Sequence, residues 1–322
     1  MTPRSLFLAC AIVTAATASA QSAPPRRAHH TMFYDEASQR ILMTGGSTPL
    51  DGGSRFEFFN DLWTFDGREW KPLSASGDRM SGIAIAGDSR GRIYSFGGYR
   101  GSAVGDVRVF EGNQWKSLPP HPAVTAAEPG FVFDSRRQRF IAFGGSAARG
   151  QANTDAWEFD GTTWKKLGGT PPPPRQAHAM VYDATRDRVV VFGGGGVGGP
   201  GAPPPALADT WEYDGAAWKQ VTVTGPAARL SPGAAFDSKR GLLILFGGSG
   251  PSGFLGDTWS FDGSEWKKLA DSGPEPRAMG YMAYDKSRDR IVLFGGRKGW
   301  PDGDLNDTWE WDGSAWKRVG GR

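Results

Sequence analysis

The sequence predicts an all-β chain assembled from six copies of one four-stranded antiparallel unit. Two markers carry that expectation. A glycine pair recurs with its first member at 45, 97, 144, 193, 247 and 295, giving gaps of 52, 47, 49, 54 and 48 residues. A tryptophan recurs at 70, 115, 164, 218, 266 and 316, with gaps of 45, 49, 54, 48 and 50. Two independent markers therefore share one period near 50. Such a period belongs to a supersecondary unit that cannot bury its faces alone and stacks against copies of itself. Composition is the third observation: 47 glycines and 13 tryptophans in 322 residues suit short strands, tight turns and large fillers between sheets.

The fourth copy shows how each strand is read. An alternating run, His178 to Tyr182, ends at Asp183, and the almost wholly apolar Val189 to Phe192 suits a strand covered on both faces. The glycine pair closes it where the backbone must bend or approach another chain closely. In Asp209-Thr210-Trp211-Glu212-Tyr213, Trp211 and Tyr213 stand two apart and share a face. Asp214-Gly215 marks a tight turn, and Trp218 to Val221 forms a more polar fourth strand. Asp and Arg flank the first hairpin turn (Asp35 and Arg40, Asp134 and Arg139, Asp183 and Arg188, Asp285 and Arg290) and are expected to pair across it.

Five copies keep six residues between a third-strand and a fourth-strand tryptophan: Trp63 and Trp70, Trp157 and Trp164, Trp211 and Trp218, Trp259 and Trp266, Trp309 and Trp316. With the glycine pair closing the second strand, this pattern resembles the kelch family of β-propellers. The second copy departs from it, with Arg108 in the first aromatic slot, Glu111 for the aspartate and Ala86-Gly87 for Tyr-Asp. The resemblance implies one six-bladed propeller over residues 27–322. Its blades are expected at about 27–73, 79–118, 126–167, 175–221, 229–269 and 277–319. Since the first copy starts directly after the proline-containing leader 21–26, each blade is contiguous. The ring should close without strand exchange, by side-chain packing of blade 1 on blade 6.

Residues 1–20 read as a secretory signal peptide: Arg4 for the positive end, Leu6 to Val13 for the apolar core, and Ala18-Ser19-Ala20 for cleavage. Export to the periplasm or the exterior is the expected localisation. The single cysteine, Cys10, lies inside that core, so the mature chain would hold no thiol and no disulfide. Removing Arg4 lowers the formal charge from +3 to +2, too even for a nucleic-acid partner. No later stretch has membrane length, and a monomer is expected.

No Cys, His-x-x-His or Glu-x-x-His pattern supports a metal site, and no cofactor is expected. Asp302-Gly303-Asp304-Leu305-Asn306 has alternating oxygen ligands but lacks the rest of a calcium loop. His29, His30, His121 and His178 read as ordinary strand-end or connector histidines. Resemblance to the family admits two enzymes. A copper radical oxidase needs a cysteine that the mature chain lacks. A six-bladed acidic-sugar epimerase remains the alternative function.

The main functional expectation is a non-catalytic ligand-binding or protein-interaction module. In a four-strand meander, the loops after strand two share one end with the connections between blades. Those loops vary most: Ser47 to Phe59, Gly195 to Ala208 and Arg297 to Asn306. At the start of strand one, five copies place an arginine eight residues before the Asp slot: Arg27, Arg79 (counted to Gly87), Arg175, Arg229 and Arg277, with Ala126 in the third copy. Such a ring would favour an anionic ligand, an acidic carbohydrate or peptide. Arg55, Phe58, Tyr99, Arg100, Arg149, Arg297, Lys298 and Trp300 in the variable loops would add charge and aromatic platforms. The alternative left open is that the arginines pair internally with the aspartates opening strand three: Asp61, Asp106, Asp155, Asp209, Asp257 and Asp307.

Overall fold

The structure, a computed structural model, describes residues 23–73, 77–112, 114–147, 151–196 and 205–321. The signal-peptide reading, Cys10 and Arg149 lie outside them, as does part of the blade 4 insert. Six antiparallel sheets follow one another, each with its strands in sequence order. In blade 4 the strands are Ala179–Asp183, Arg188–Phe192, Thr210–Tyr213 and Trp218–Val221. In blade 1 the second strand runs on from Arg40 to Leu50 and returns as an extra strand, Arg55–Phe58, so the Ser47 to Phe59 insert is a hairpin that prolongs the blade. The expected six-bladed propeller of contiguous four-stranded blades is the fold observed.

The alternation read from sequence is set by what covers each strand. Val189 to Phe192 are at most 1% exposed because neighbouring blades cover both faces of the second strand. Fourth strands form the rim and expose Lys71, Lys116, Lys165, Lys219, Lys267 and Lys317. Lysines on an outer edge discourage pairing with another chain. First strands circle the axis, each touching the first strand of both neighbours.

The glycine pair is explained by the next blade. Gly45 and Gly46 have φ of 70° and 94°, and a Cβ on Gly45 would come within 2.9 Å of the Met80 carbonyl oxygen. That carbonyl accepts a hydrogen bond from Gly46 N–H at 2.9 Å. The bond recurs around the ring: Gly98 to Ala126, Gly145 to Arg175, Gly194 to Arg229, Gly248 to Arg277 and Gly296 to Arg27. This lacing also corrects the phase of blade 2. Gly87 faces Ile93, and Asp88 takes the slot of Asp35, so Met80 rather than Arg79 stands where blades 1, 4, 5 and 6 carry arginine.

Two further fasteners join blades. Fourth-strand tryptophans donate to a third-strand threonine of the preceding blade: Trp70 to Thr308, Trp266 to Thr210 and Trp316 to Thr258, at 2.8–3.0 Å. On the turn face, Arg137 reaches the Asp214 carbonyl of blade 4, and Arg240 that of Asp312 in blade 6. The Asp-Arg pairing expected across the first hairpin is different in detail. Asp183 caps its turn by accepting from the Thr185 and Arg186 N–H groups and pairs with Arg186 at 2.7 Å. Arg188, fixed opposite Asp183 in register, turns its guanidinium to the Asp187 carbonyl. Asp134, Asp237 and Asp285 likewise pair with the arginine three residues on, because the tight turn folds that side chain back over its own cap.

Blades 1 and 6 close on a cluster joining Met32, Ile41, Met43 and Trp70 to Val292 and Phe294. The junction of blades 1 and 2 is thinner, with Leu42, Leu62 and Ile93 as its buried residues. There Leu62 replaces the threonine and Ser38 replaces the turn arginine.

Candidate ligand-binding mouth

Four of the arginines expected to ring the mouth are buried staples. Arg27, Arg175, Arg229 and Arg277 are at most 1% exposed. In blade 6, Arg277 Nη1 and Nη2 meet Asp307 Oδ1 and Oδ2 at 2.5 and 2.8 Å, Nη1 also reaches the Gly295 carbonyl at 3.0 Å, and Nε the Glu275 carbonyl at 2.9 Å. Blades 1, 4 and 5 repeat this on Asp61, Asp209 and Asp257. The second carboxylate oxygen also accepts from the strand-three tryptophan two residues on, as in Trp309 to Asp307 at 2.7 Å. These guanidiniums hold the blade together and are closed to ligand.

The two blades lacking this arginine compensate differently. In blade 2 the arginine comes from the tryptophan slot, and Arg108 meets Asp106 and Asp78 at 3.0 and 2.6 Å. Arg79 lies one residue outside the slot, exposed, and donates to the Phe58 carbonyl at 2.9 Å. In blade 3, Asn153 replaces one arm of the arginine by donating to the Gly144 carbonyl at 3.1 Å.

Two residues beyond the arginine slot, each blade places a residue of left-handed φ, between 48° and 61°: His29, Gly82, Glu128, Ala177, Ser231 and Met279. Their peptides hydrogen-bond head to tail around the axis, from Gly82 to His29, Glu128 to Gly82, Ser231 to Ala177, Met279 to Ser231 and His29 to Met279, at 2.7–3.3 Å. This collar narrows the channel. Below it lies a cavity of about 140 Å³ lined by Met32, His178, Met180 and Tyr281. Above it opens a mouth of about 220 Å³ lined by His29, Phe56, Phe58, Tyr99, Glu128 and Arg297.

His29 Nδ1 and a Glu128 carboxylate oxygen are hydrogen-bonded across Gly82. A Cβ on Gly82 would lie 2.9 Å from Glu128 Cγ, so the glycine makes room for that bond. Burial raises the Glu128 pKa, but the charge of His29 and its hydrogen bond outweigh burial and leave the carboxyl below its ordinary value. The other histidines are turned away from the mouth. His30 packs against Tyr281 and Phe294, His178 lines the inner cavity, and His121 Nδ1 accepts from the Ala123 and Val124 N–H groups.

Of the expected loop residues, Phe58, Tyr99 and Arg297 meet at the mouth. Arg297 is 5% exposed and holds Asp304 through two bonds, which removes that carboxylate from the calcium-like run. Trp300 stands at the rim under Arg297 and beside Phe56, with ring centroids 5.8 Å apart. Arg55 pairs with Asp51, Arg100 with Asp78 and Asp106, and Lys298 with Glu275. Sequence reasoning missed Glu128 and its contact with His29. The available signal was position, since Glu128 follows Ala126 by two residues, as His29 follows Arg27.

No curated protein matches the chain. A family model described as the KLHDC2/KLHL20/DRC7 Kelch-repeats domain matches residues 82–262. With more than half of the 322 residues inside that match, and six glycine-closed blades around one axis, five of them tryptophan-paired, the chain belongs to the kelch-repeat β-propeller family.

Proposed function

We propose that this propeller is an exported, non-catalytic interaction module that holds an extended segment of a partner protein along its mouth. Kelch propellers are commonly protein-interaction modules. The observation that carries the reading is a row of rings. Trp300 to Phe56, Phe56 to Phe58 and Phe58 to Tyr99 stand 5.8, 6.4 and 6.1 Å apart. An extended peptide places side chains on one side about every 6.6 Å, so each would fall over successive rings. Among the described residues, the exposed large apolar side chains are Leu50, Phe56, Tyr99 and Trp300, all on this face. Exposed apolar residues gathered in one patch mark interaction surfaces. The arginine ring gives no support to an acidic ligand, because its four buried members are neutralised by aspartate. Export rests on the pattern of residues 1–20.

A combined peptide and glycan array, probed with the full chain and with a Phe56→Ala/Tyr99→Ala variant, tests the reading. Peptide signals that the variant loses are expected; glycan signals alone, or peptide signals indifferent to the variant, overturn it. The His29–Glu128 contact favours a second reading, a carbohydrate-active enzyme using that pair as acid and base. Turnover of an acidic sugar that Glu128→Gln abolishes would establish it.

A further inference from the structure

Resting on the interaction reading above, we infer that the mouth selects a basic side chain, the ammonium or guanidinium end of a lysine or arginine in the bound segment. Size is the first argument. At about 220 Å³ the mouth falls below the roughly 300–1,000 Å³ of sites that enclose whole small ligands, and suits one long side chain while the rest of the segment lies on the ring row.

Charge is the second. Arg297 and Asp304 form a two-bond pair and cancel. Glu128 brings a carboxylate to the same lining, 19% exposed and hydrogen-bonded to His29. Phe56, Phe58 and Tyr99 line the same space, and aromatic faces present negative potential to a cation. The rim cations Arg79 and Arg100 stand outside this lining, and Arg100 is paired with Asp78 and Asp106. A carboxylate beneath three rings is the arrangement that recognises an alkylammonium or guanidinium group, and it opposes the acidic ligand expected from the arginine ring.

The test is an array of blocked hexapeptides with valine at alternate positions and one central residue varied among Lys, Arg, norleucine, Gln and Glu. Wild type, Glu128→Gln, Glu128→Asp and Phe58→Leu are compared after their thermal unfolding has been matched. Lys and Arg peptides are expected to bind the wild type at least tenfold more tightly than norleucine. Glu128→Gln should abolish that preference while keeping norleucine binding, Glu128→Asp should keep part of it, and Phe58→Leu should weaken every peptide. Norleucine or Glu peptides bound as well as Lys, or a preference surviving in Glu128→Gln, overturn the cation selectivity and leave the interaction reading standing. Absence of binding to every peptide in the presence of glycan binding overturns both.

Discussion

Three histidines are held neutral inside the fold, and acid should therefore unfold this protein in a window set by imidazole. Burial, then the charges of Arg27 and His29, push His30 well below its usual 6.5. Burial lowers His121 to about 4, and burial with Arg175 lowers His178 to about 3. None can accept a proton cheaply: both ring nitrogens of His30 and of His178 are buried without partners, and His121 Nδ1 is occupied as an acceptor. In the unfolded chain all three protonate near 6.5, so below that value the unfolded state binds more protons and stability falls with pH. One group contributes about 1.4 kcal/mol per pH unit between its two pKa values, so three remove about 4 kcal/mol per unit. From pH 6.5 to 5 the loss is about 6 kcal/mol, against a total stability of roughly 5–15 kcal/mol. Aspartates act in another window. Burial raises Asp209, Asp257 and Asp307, but Arg175, Arg229 and Arg277 outweigh it and hold each below 3.8. Their stabilisation is complete above that value and is lost only as pH falls through the lower folded values. Urea unfolding followed by tryptophan fluorescence at pH 7.5, 6 and 5 measures the effect, and His178→Phe should remove about one proton from the slope. A stability that stays within about 1 kcal/mol between pH 7.5 and 5 would refute the reasoning.

Arg277→Ala should cost about 3–5 kcal/mol in urea unfolding, since it leaves Asp307 buried and uncompensated, whereas exposed Arg79→Ala should stay within about 0.5 kcal/mol. Trp218 packs with Ala156 where three other junctions have a Trp–Thr bond, and its Nε1 lacks a partner. Ala156→Thr should thus raise stability by about 0.5–1.5 kcal/mol, read from the shift in melting temperature. Gly215, at φ 92°, lies under the Arg137 guanidinium. Gly215→Ala should cost at least about 1 kcal/mol and be milder in an Arg137→Ala background, a double-mutant cycle that isolates the contact.

The repeat made the fold legible because every blade meets the same neighbours. A glycine pair beneath a neighbour's carbonyl, or a tryptophan over a neighbour's strand, is required six times and so leaves a period. The arginine–aspartate staples were legible for the same reason, as one of two alternatives. Where one blade departed, the reading slipped. Counting from Gly87 instead of Asp88 moved blade 2 by one residue and put Arg79 where Met80 stands. The mouth was only partly readable. Phe58, Tyr99 and Arg297 could be placed on the loop-rich face by topology, but Glu128 meets His29 across a third blade, 99 residues away in sequence. No local spacing encodes a contact that exists only once the ring has closed.

Five of the six joints between blades have the polypeptide itself as a hinge; the joint between blades 6 and 1 has none. A tether keeps its two ends at high effective concentration, so a tethered joint can tolerate weak adhesion that an untethered one cannot. The untethered joint is fastened as fully as the joints of blade 5 with blades 4 and 6, which also carry a Trp–Thr bond. The untethered joint carries Trp70 on Thr308, Lys286 on Glu36, the Gly296 lacing bond and the Arg288 guanidinium against Gly67. The sparest joint, between blades 1 and 2, is one that the covalent chain already spans. Continuity of the backbone at that joint thus does the work that tryptophan, threonine and arginine do at the place where the ring must shut.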